Sequence, residues 1–447
     1  MPGALVAAWL ALAGVAVGVW PRVQTRQARR VWIVLLALVF ALVLQLVVAT
    51  VPDGAFITFR YARNIAEGYG AVYTIGERVE GLPNFVWLVL VTLPRAMFGA
   101  DVVTGAVVLG VLSTLGCVVV AYLLAKRFAG GAGVIAALLT AGASLLAAHG
   151  QAGTETALFV LLVLTGCLAL VSGHPLVGGV LAALAVMTRS DGVVFALLGE
   201  VWLLYTAVRR RSSWWAPAGY LLGALVFLVP WWAWEATYYD RVGAAWPDSA
   251  HLPYGFLLCT LLAVGAAVLF GRLGTRRRPS PHPRPGLAER RAVPVVALVL
   301  CAVSVPAAFA ARQVVHTDRL RSSQTTEIGH WLRDSLPAGS TIDTFGNAAL
   351  AYRAGARMTI TGVTGREPDD SVAPVADFGL PVLAAPLAWY APGQDCEIAA
   401  RYAERYDVAT FRRADTSWLT IYLRGDAETR ILALLAGDER WTYVPCG

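Results

Sequence analysis

The chain has few charged residues and few cysteines, and it contains none of the common cofactor-binding motifs. Charged side chains make up 15% of its 447 residues, and hydrophobic residues make up 57%. Soluble proteins carry about 25% charged residues, so this composition excludes an ordinary soluble protein. We find no glycine-rich nucleotide loop, no cluster of histidines with metal-ligand spacing and no cysteine framework. We therefore do not expect a nucleotide-sugar donor.

Long apolar runs make up most of the chain, and its mean hydropathy is +0.61. A helix needs about 20 mainly apolar residues to span a bilayer. Seven runs are long enough by this standard, and they lie at 3–20, 31–52, 102–124, 131–148, 214–233, 254–270 and 292–311. Three shorter runs, at 156–171, 176–188 and 192–207, are counted as spans because the charge of the loops alternates. The sequence predicts a polytopic α-helical membrane protein with about ten transmembrane helices.

Basic residues collect in alternate short loops, which indicates the orientation of the helices. The clusters comprise Arg22, Arg26, Arg29 and Arg30; Lys126 and Arg127; Arg209, Arg210 and Arg211; and Arg276, Arg277, Arg278, Arg290 and Arg291. Because such clusters stay in the cytoplasm, we expect a multi-pass plasma-membrane protein whose Asp53 loop and carboxyl-terminal region lie outside. The net charge of +7 then reflects topology and not nucleic-acid binding.

The run 85–98 contains Pro94 and Arg95 and is short for a span. We interpret it as a helix that lies in the outer membrane interface, held there by Trp87 and Arg95. This makes 53–101 the first external loop of a membrane domain that covers residues 1–319.

Residues 320–447 differ in composition from the rest of the chain and predict a small external α/β domain. Trp418 to Leu423 alternates like a strand, and the segment from Asp334 to Ile342 contains a turn that leads into a short strand. Segments 397–406 and 427–435 have helical patterns. Cys396 and Cys446 are the cysteines of this region, and whether they form a disulfide remains open.

A charged segment follows the second apolar run. It begins at Asp53 and contains Arg60, Arg63 and Asn64. If residues 54 to 66 form a helix, Arg60 lies two turns beyond Asp53. Arg63 and Asn64 then lie on the neighbouring turn of a similar face. Ionisable groups at a membrane surface are costly and tend to mark chemistry or headgroup binding. We interpret Asp53 as a candidate catalytic base, with a helix cap as the alternative.

Further polar residues lie on the same predicted outer side, and each also has a structural explanation. Glu155 begins an apolar run and can complement a helix dipole. Arg189 and Asp191 can compensate each other within a turn, and the tryptophans before Tyr239 are typical interface anchors. The candidate binding residues on this side are Glu80, Asn84, Glu155, Arg189, Asp191, Tyr239, Asp248 and His251.

The order of these motifs resembles that of a known family. The segment Asp53 to Asn64 is followed by Gly-Tyr-Gly-Ala-Val-Tyr73, by Gly-Glu-Arg-Val-Glu-Gly81 and by Pro-Asn-Phe-Val-Trp87. Later motifs are Gly-Thr-Glu-Thr-Ala-Leu-Phe159, Thr-Arg-Ser-Asp-Gly192, Tyr-Tyr-Asp240 and Trp-Pro-Asp-Ser249. Across residues 31 to about 260 the chain resembles GT-C glycosyltransferases, and more closely the terminal arabinofuranosyltransferases of the mycobacterial cell wall.

The resemblance implies a polyprenyl-phosphate sugar donor, an extracytoplasmic active site and inversion at the anomeric carbon, with Asp53 as base. The acceptor would be a cell-envelope glycan or lipid. Arginines would bind the lipid phosphate, and the candidates are Arg60, Arg63 and Arg189. A divalent cation is compatible with this chemistry, but Gly54 stands where relatives carry a second acidic residue, which argues against metal assistance. Ser190 and Asp248 also depart from the family pattern.

Several functions remain open at this point. The first is transfer of arabinofuranose, and a mannosyltransferase of the same superfamily is the nearest alternative. Because of Gly54, a catalytically impaired protein that binds a lipid-linked glycan is a further alternative. A transporter is less favoured, because the candidate residues gather on one side and not at the bilayer midplane.

Overall fold

A computed structural model describes part of the chain. The described residues are 27–47, 50–76, 78, 84–128, 132–239, 326, 329–330, 333–334, 341–343, 348–361, 407–412, 418–423 and 442–444. The predicted spans at 3–20, 254–270 and 292–311 lie outside these ranges, as do Cys396 and Cys446. The helical patterns at 397–406 and 427–435 also lie outside them.

The described part is mainly helical, because its apolar runs are rich in alanine, leucine and valine, and few prolines interrupt them. The helices are α1 (Gln27–Val47), α2 (Ala55–Ala66), α3 (Phe85–Phe98), α4 (Val102–Ala125), α5 (Ala132–Ala141), α6 (Ser144–Gln151), α7 (Thr156–Val171), α8 (Pro175–Thr188), α9 (Gly192–Val208), α10 (Trp215–Tyr238) and α11 (Ala348–Ala354).

Three of the described helices are long and apolar enough to cross a membrane: Arg30–Val47 within α1, all of α4 and all of α10. The predicted span at 131–148 is instead two helices, α5 and α6, which are bent by 56° at a short break. Counting this pair as one broken span gives four candidates in the described part. Helices α7, α8 and α9 are apolar but shorter.

Small residues let the helices approach closely, as is usual between membrane helices. Helix α8 packs against α7, α9 and α10. A methyl group added at Gly179 of α8 would lie 1.9 Å from the carbonyl oxygen of Tyr220, and one at Gly223 of α10 would lie 2.3 Å from that of Leu176. The pair α8 and α10 therefore depends on glycine at these crossing points.

A second core forms around α2. Its buried side chains come from α2, the loop after α2, α3, the start of α4 and the segment 348–358, and they include Phe56, Phe59, Tyr73 and Leu350. The segment 348–358 falls within the region 320–447 that the sequence assigned to a separate domain. In the structure, its buried residues belong to the same core as those of 55–106.

Helix α3 does not present Trp87 to a membrane interface. The indole is 1% exposed, and its Nε1 donates a hydrogen bond to the carbonyl oxygen of Gly153 at 3.2 Å. The predicted anchoring role of Trp87 is therefore wrong, because a buried indole N–H needs a protein partner and finds one in the turn before α7. Arg95 is exposed and lies 3.5 Å from the Glu67 carboxylate.

Five short strands are described beyond residue 340. Strands β1 (Thr341–Asp343) and β2 (Thr359–Thr361) pair in parallel on either side of α11 in the chain. Strand β3 (Asp407–Arg412) lies between β4 (Trp418–Leu423) and β5 (Thr442–Val444) and pairs antiparallel with both. The bounds of β4 coincide with the alternating segment identified in the sequence.

The glycine crossing between α8 and α10 gives a test of the helix packing. Gly179→Ala should lower the free energy of unfolding by about 1–3 kcal/mol, because a methyl group would collide with the α10 backbone. Gly105→Ala in α4 is the control, since its methyl group would meet Pro94 at an ordinary 3.8 Å. Thermal unfolding in detergent measures both variants, and equal stability of the two would contradict the packing.

Candidate functional site

Asp53 caps helix α11, which lies far from it in the chain. One carboxylate oxygen accepts a hydrogen bond from the Ala348 amide at 2.9 Å, and the other accepts one from the Ala349 amide at 2.8 Å. The cap residue of α2 itself is Gly54, which offers no side-chain hydrogen bond. Asp53 is therefore a helix cap, as the alternative interpretation proposed, but for a different helix.

Arg60 is fully buried and binds the backbone around the other end of α11. Its Nη1 donates to the carbonyl oxygens of Ala351 and Gly355, and its Nη2 donates to that of Met358 at 3.0 Å. Its Nε donates to the Tyr73 carbonyl oxygen at 2.8 Å. Burial lowers the pKa of Arg60 to about 10, so the group stays charged at neutral pH.

Arg63 and Asn64 continue this polar face of α2. Arg63 donates through Nη1 to the Tyr352 carbonyl oxygen at 2.7 Å, and its guanidinium lies 4.5 Å from the centre of the Tyr352 ring. Its Nε and Nη2 are buried and have no hydrogen-bond partner among the described residues. Burial lowers the pKa of Arg63 as well. Asn64 donates to the carbonyl oxygens of Val72 and Tyr73.

These contacts place opposite charges at opposite ends of α11. A carboxylate at a helix amino end and guanidinium groups at its carboxyl end both complement the helix dipole. Asp53 provides the first, and Arg60 and Arg63 provide the second. Asp53, Arg60 and Arg63 thus bind main-chain atoms of the distant segment 348–358. Phe56 and Phe59 of α2 also pack against the Tyr352 ring.

A second polar cluster, the Glu155 cluster, consists of Asn84, Glu155, Arg189 and Asp191. Arg189 Nη1 lies 3.1 Å from Glu155 Oε1, and its Nη2 lies 2.9 Å from Asp191 Oδ2. Asn84 Nδ2 donates to Glu155 Oε2 at 3.3 Å and to the hydroxyl of Thr58 on α2 at 2.9 Å. The structure therefore brings together four of the residues selected from the sequence.

Helix ends position the Glu155 cluster. Glu155 immediately precedes α7, after a turn that needs positive φ at Gly153. Arg189 ends α8 in an extended conformation, and Asp191 precedes α9. Because three helices begin or end here, their charged terminal residues meet.

A group of aromatic side chains begins at Phe85, which directly follows Asn84 of the Glu155 cluster in the sequence. The ring centre of Phe85 is 5.1 Å from that of Trp234, which stacks on Tyr238 at 5.2 Å. The Tyr238 hydroxyl accepts a hydrogen bond from the Ala71 amide, and Tyr239 donates to the Ala71 carbonyl oxygen at 3.3 Å. The end of α10, including the predicted Tyr239, thus contacts the loop after α2.

Three of the predicted site residues, Glu80, Asp248 and His251, lie outside the described residues. Sequence reasoning missed Thr58, which is buried and binds Asn84, and the amides of Ala348 and Ala349. Their sequence gives no signal, because a threonine and a run of alanines are ordinary helix residues. The described part of the chain contains no group of three or more histidine, cysteine, aspartate or glutamate side chains placed to hold a metal ion.

The chain matches no protein-family model, no curated protein and no solved structure. The resemblance to the glycosyltransferases is therefore carried by the sequence motifs alone and stays a prediction.

The role of Arg60 in holding α11 can be tested with Arg60→Met. We expect the free energy of unfolding to fall by more than about 2 kcal/mol, because buried carbonyl oxygens lose hydrogen bonds to a charged group. Hydrogen exchange at residues 348–358 should accelerate. The control is Arg95→Met, whose exposed ion pair contributes less than about 1 kcal/mol. Unchanged exchange in Arg60→Met would show that α11 docks without this contact.

Proposed function

We propose that this protein is an inverting glycosyltransferase of the GT-C type. It would move a sugar, arabinofuranose by the motif resemblance, from a polyprenyl-phosphate donor to a cell-envelope glycan on the outer face of the plasma membrane. The proposal includes about ten transmembrane helices and an extracytoplasmic α/β domain after residue 320. The described helices support a helical membrane protein, which is the coarser part of this proposal.

The observation that carries the proposal is the meeting of chemically active side chains from separate segments. Asn84, Glu155 and Arg189 come from three parts of the chain and contact one another. Thr58 of α2, the helix that follows Asp53, binds Asn84. Packing alone does not require carboxylates, an amide and a guanidinium at one end of several apolar helices. A site for a polar substrate accounts for their presence.

Asp53 fits the role of base because two backbone amides fix its orientation. A carboxylate has about four acceptor positions, so two remain after the bonds to Ala348 and Ala349. In the reaction, the acceptor hydroxyl oxygen attacks the anomeric carbon while Asp53 takes its proton. The bond from that carbon to the phosphate oxygen breaks, and polyprenyl phosphate leaves with the electron pair. The configuration at the anomeric carbon inverts.

The three candidate arginines differ in their capacity to bind the leaving phosphate. Arg60 is held by four carbonyl oxygens, and Arg189 is held by two carboxylates. Arg63 keeps its Nε and Nη2 edge without a hydrogen-bond partner among the described residues. That edge has the geometry for bidentate contact with phosphate oxygens, so we assign the phosphate to Arg63. Because both nitrogens are buried, binding requires the groups that cover them to move aside.

A second function is favoured by the contacts of Asp53. Both of its oxygens already accept main-chain hydrogen bonds, and Gly54 stands where relatives carry an acidic residue. A protein that binds a lipid-linked glycan without transferring it would need Asp53 only as a cap for α11. A mannose donor remains the alternative within the catalytic proposal.

Transfer from polyprenyl-phosphate arabinofuranose to an arabinofuranosyl acceptor tests the catalytic proposal directly. With purified protein in lipid, Asp53→Asn should reduce turnover by at least about a hundredfold, because the acceptor loses its general base. Asp101→Asn is the matched control. This exposed carboxylate also caps a helix, by accepting from the Thr104 amide at 2.9 Å, and its replacement should leave turnover near the native value.

The outcomes of this assay separate the two functions. Native protein that binds the donor but transfers neither arabinofuranose nor mannose would support the binding function and overturn the catalytic one. Equal turnover of Asp53→Asn and native protein would remove Asp53 as the base.

The proposed orientation places residue 357 outside the cell and residue 211 inside it. Both Arg357 and Arg211 are exposed. Single cysteines at these positions, in a background that lacks the six native cysteines, can be labelled on intact cells with an impermeant maleimide. We expect Arg357→Cys to react at once and Arg211→Cys to react only after permeabilisation, following the distribution of basic loops. Labelling of both positions on intact cells would contradict the orientation.

A further inference from the structure

We propose that the Glu155 cluster is a subsite for the hydroxyl groups of a neutral sugar and does not bind the donor's phosphate. This deepens the proposed function, on which the identity of the sugar rests. The sugar ring belongs either to the acceptor glycan or to the lipid-linked donor, and both present the same hydroxyl chemistry.

The charge of the cluster argues against phosphate. Arg189 directs one Nη to the Glu155 carboxylate and the other to the Asp191 carboxylate. The cluster therefore holds two carboxylates and one guanidinium, and the positive charge faces the carboxylates. The cluster therefore carries a net negative charge, and it would repel an incoming phosphate. A neutral sugar experiences no such repulsion.

The cluster has acceptors that need donors. The Asn84 side chain is 7% exposed, and its Oδ1 is buried without a hydrogen-bond partner among the described residues. Beside the cluster, the Thr154 hydroxyl, which can both donate and accept, is also buried without a hydrogen-bond partner among the described residues. An unsatisfied buried acceptor is costly. Sugar hydroxyls supply donors to such groups, whereas a fully ionised phosphate supplies none.

A ligand can reach the carboxylates, because the side chains of Glu155 and Asp191 are 19% and 13% exposed. Each belongs to the end of a packed helix, and Arg189 ties the two together. Polar groups held in this way can fix the orientation of a small ligand.

Aromatic rings provide a second surface of the kind that sugars use. Phe85 directly follows Asn84, and its ring contacts Trp234, which is 36% exposed. Trp234 in turn stacks on Tyr238. The apolar face of a sugar ring packs on such aromatic faces while its hydroxyls contact polar groups.

Binding measurements on purified native protein and variants in detergent test this subsite without requiring transfer. Four probes are compared: an arabinofuranosyl oligosaccharide, a mannosyl oligosaccharide, a polyprenyl phosphate without sugar, and polyprenyl-phosphate arabinofuranose. Glu155→Gln should lower the affinity for a sugar-bearing probe by about tenfold or more, because a charged acceptor is lost. The affinity for the sugar-free polyprenyl phosphate should stay unchanged. Asp101→Asn is the control and should bind all four probes like native protein.

The pattern among the probes identifies the source of the sugar. Weaker oligosaccharide binding by Glu155→Gln places the acceptor sugar in the subsite. A change confined to the lipid-linked sugar places the donor sugar there. Three results would overturn the proposal. In Glu155→Gln, the affinity for sugar-free polyprenyl phosphate could fall as much as that for the sugar-bearing probes, or the affinity for every sugar-bearing probe could stay unchanged. Native protein could also bind none of the sugar-bearing probes.

Thermal unfolding shows whether Glu155→Gln folds. If it does not, Asp191→Asn and Asn84→Ala replace it in the same binding measurements. The subsite and the proposed function can also fail separately. Sugar binding that depends on Glu155 in a protein without transfer activity supports the subsite and refutes the transferase. If the protein transfers sugar but none of the three variants changes its sugar binding, the transferase is supported and the subsite is refuted.

Discussion

The buried guanidinium of Arg60 is the constraint on which the region around α2 depends. A cation removed from water must be compensated. Among the described residues, main-chain carbonyl oxygens do this for Arg60, and no carboxylate forms a hydrogen bond with it. Those oxygens have to be held in place, so the turn after α11 and the loop at Tyr73 are fixed relative to α2. The same docking brings the Ala348 and Ala349 amides to Asp53. The orientation of the proposed base therefore follows from the burial of a cation two turns away.

Close helix packing has the corresponding role in the second polar region, the Glu155 cluster. Glycines at crossing points let α8 approach α10. Helix α8 also packs against α7 and α9, and the ends of these three helices carry Glu155, Arg189 and Asp191, which contact one another. Asn84 joins this group to Thr58. The two polar regions differ in character, since guanidinium groups predominate in one and carboxylates in the other. A substrate with a charged phosphate at one end and a neutral sugar at the other would match that division.

Local properties of the chain were readable from the sequence. Apolar runs predicted α4, α7, α8, α9 and α10 to within a few residues, because hydrophobicity and helix propensity act within one segment. The sequence predicted a helix over residues 54–66, and α2 covers Ala55–Ala66, so Arg60, Arg63 and Asn64 lie on it and Asp53 lies just before it. The break between α5 and α6 was missed, since Gly142 and Ala143 resemble their helical neighbours. Trp87 was misjudged, because its burial depends on Gly153 in a later segment. The docking of α11 had no local signal at all.

The contact between α2 and α11 joins positions about 300 residues apart, since Asp53 and Ala348 are separated by 295 residues and Arg60 and Met358 by 298. Eight of the eleven described helices, α3 to α10, lie between them in the chain. During synthesis, Arg60 emerges long before the carbonyl oxygens that will surround it, and until then the cation must remain hydrated or be held by something else. Completion of the α2 region therefore belongs to the last stage of the protein's biogenesis, after the intervening helices have been made.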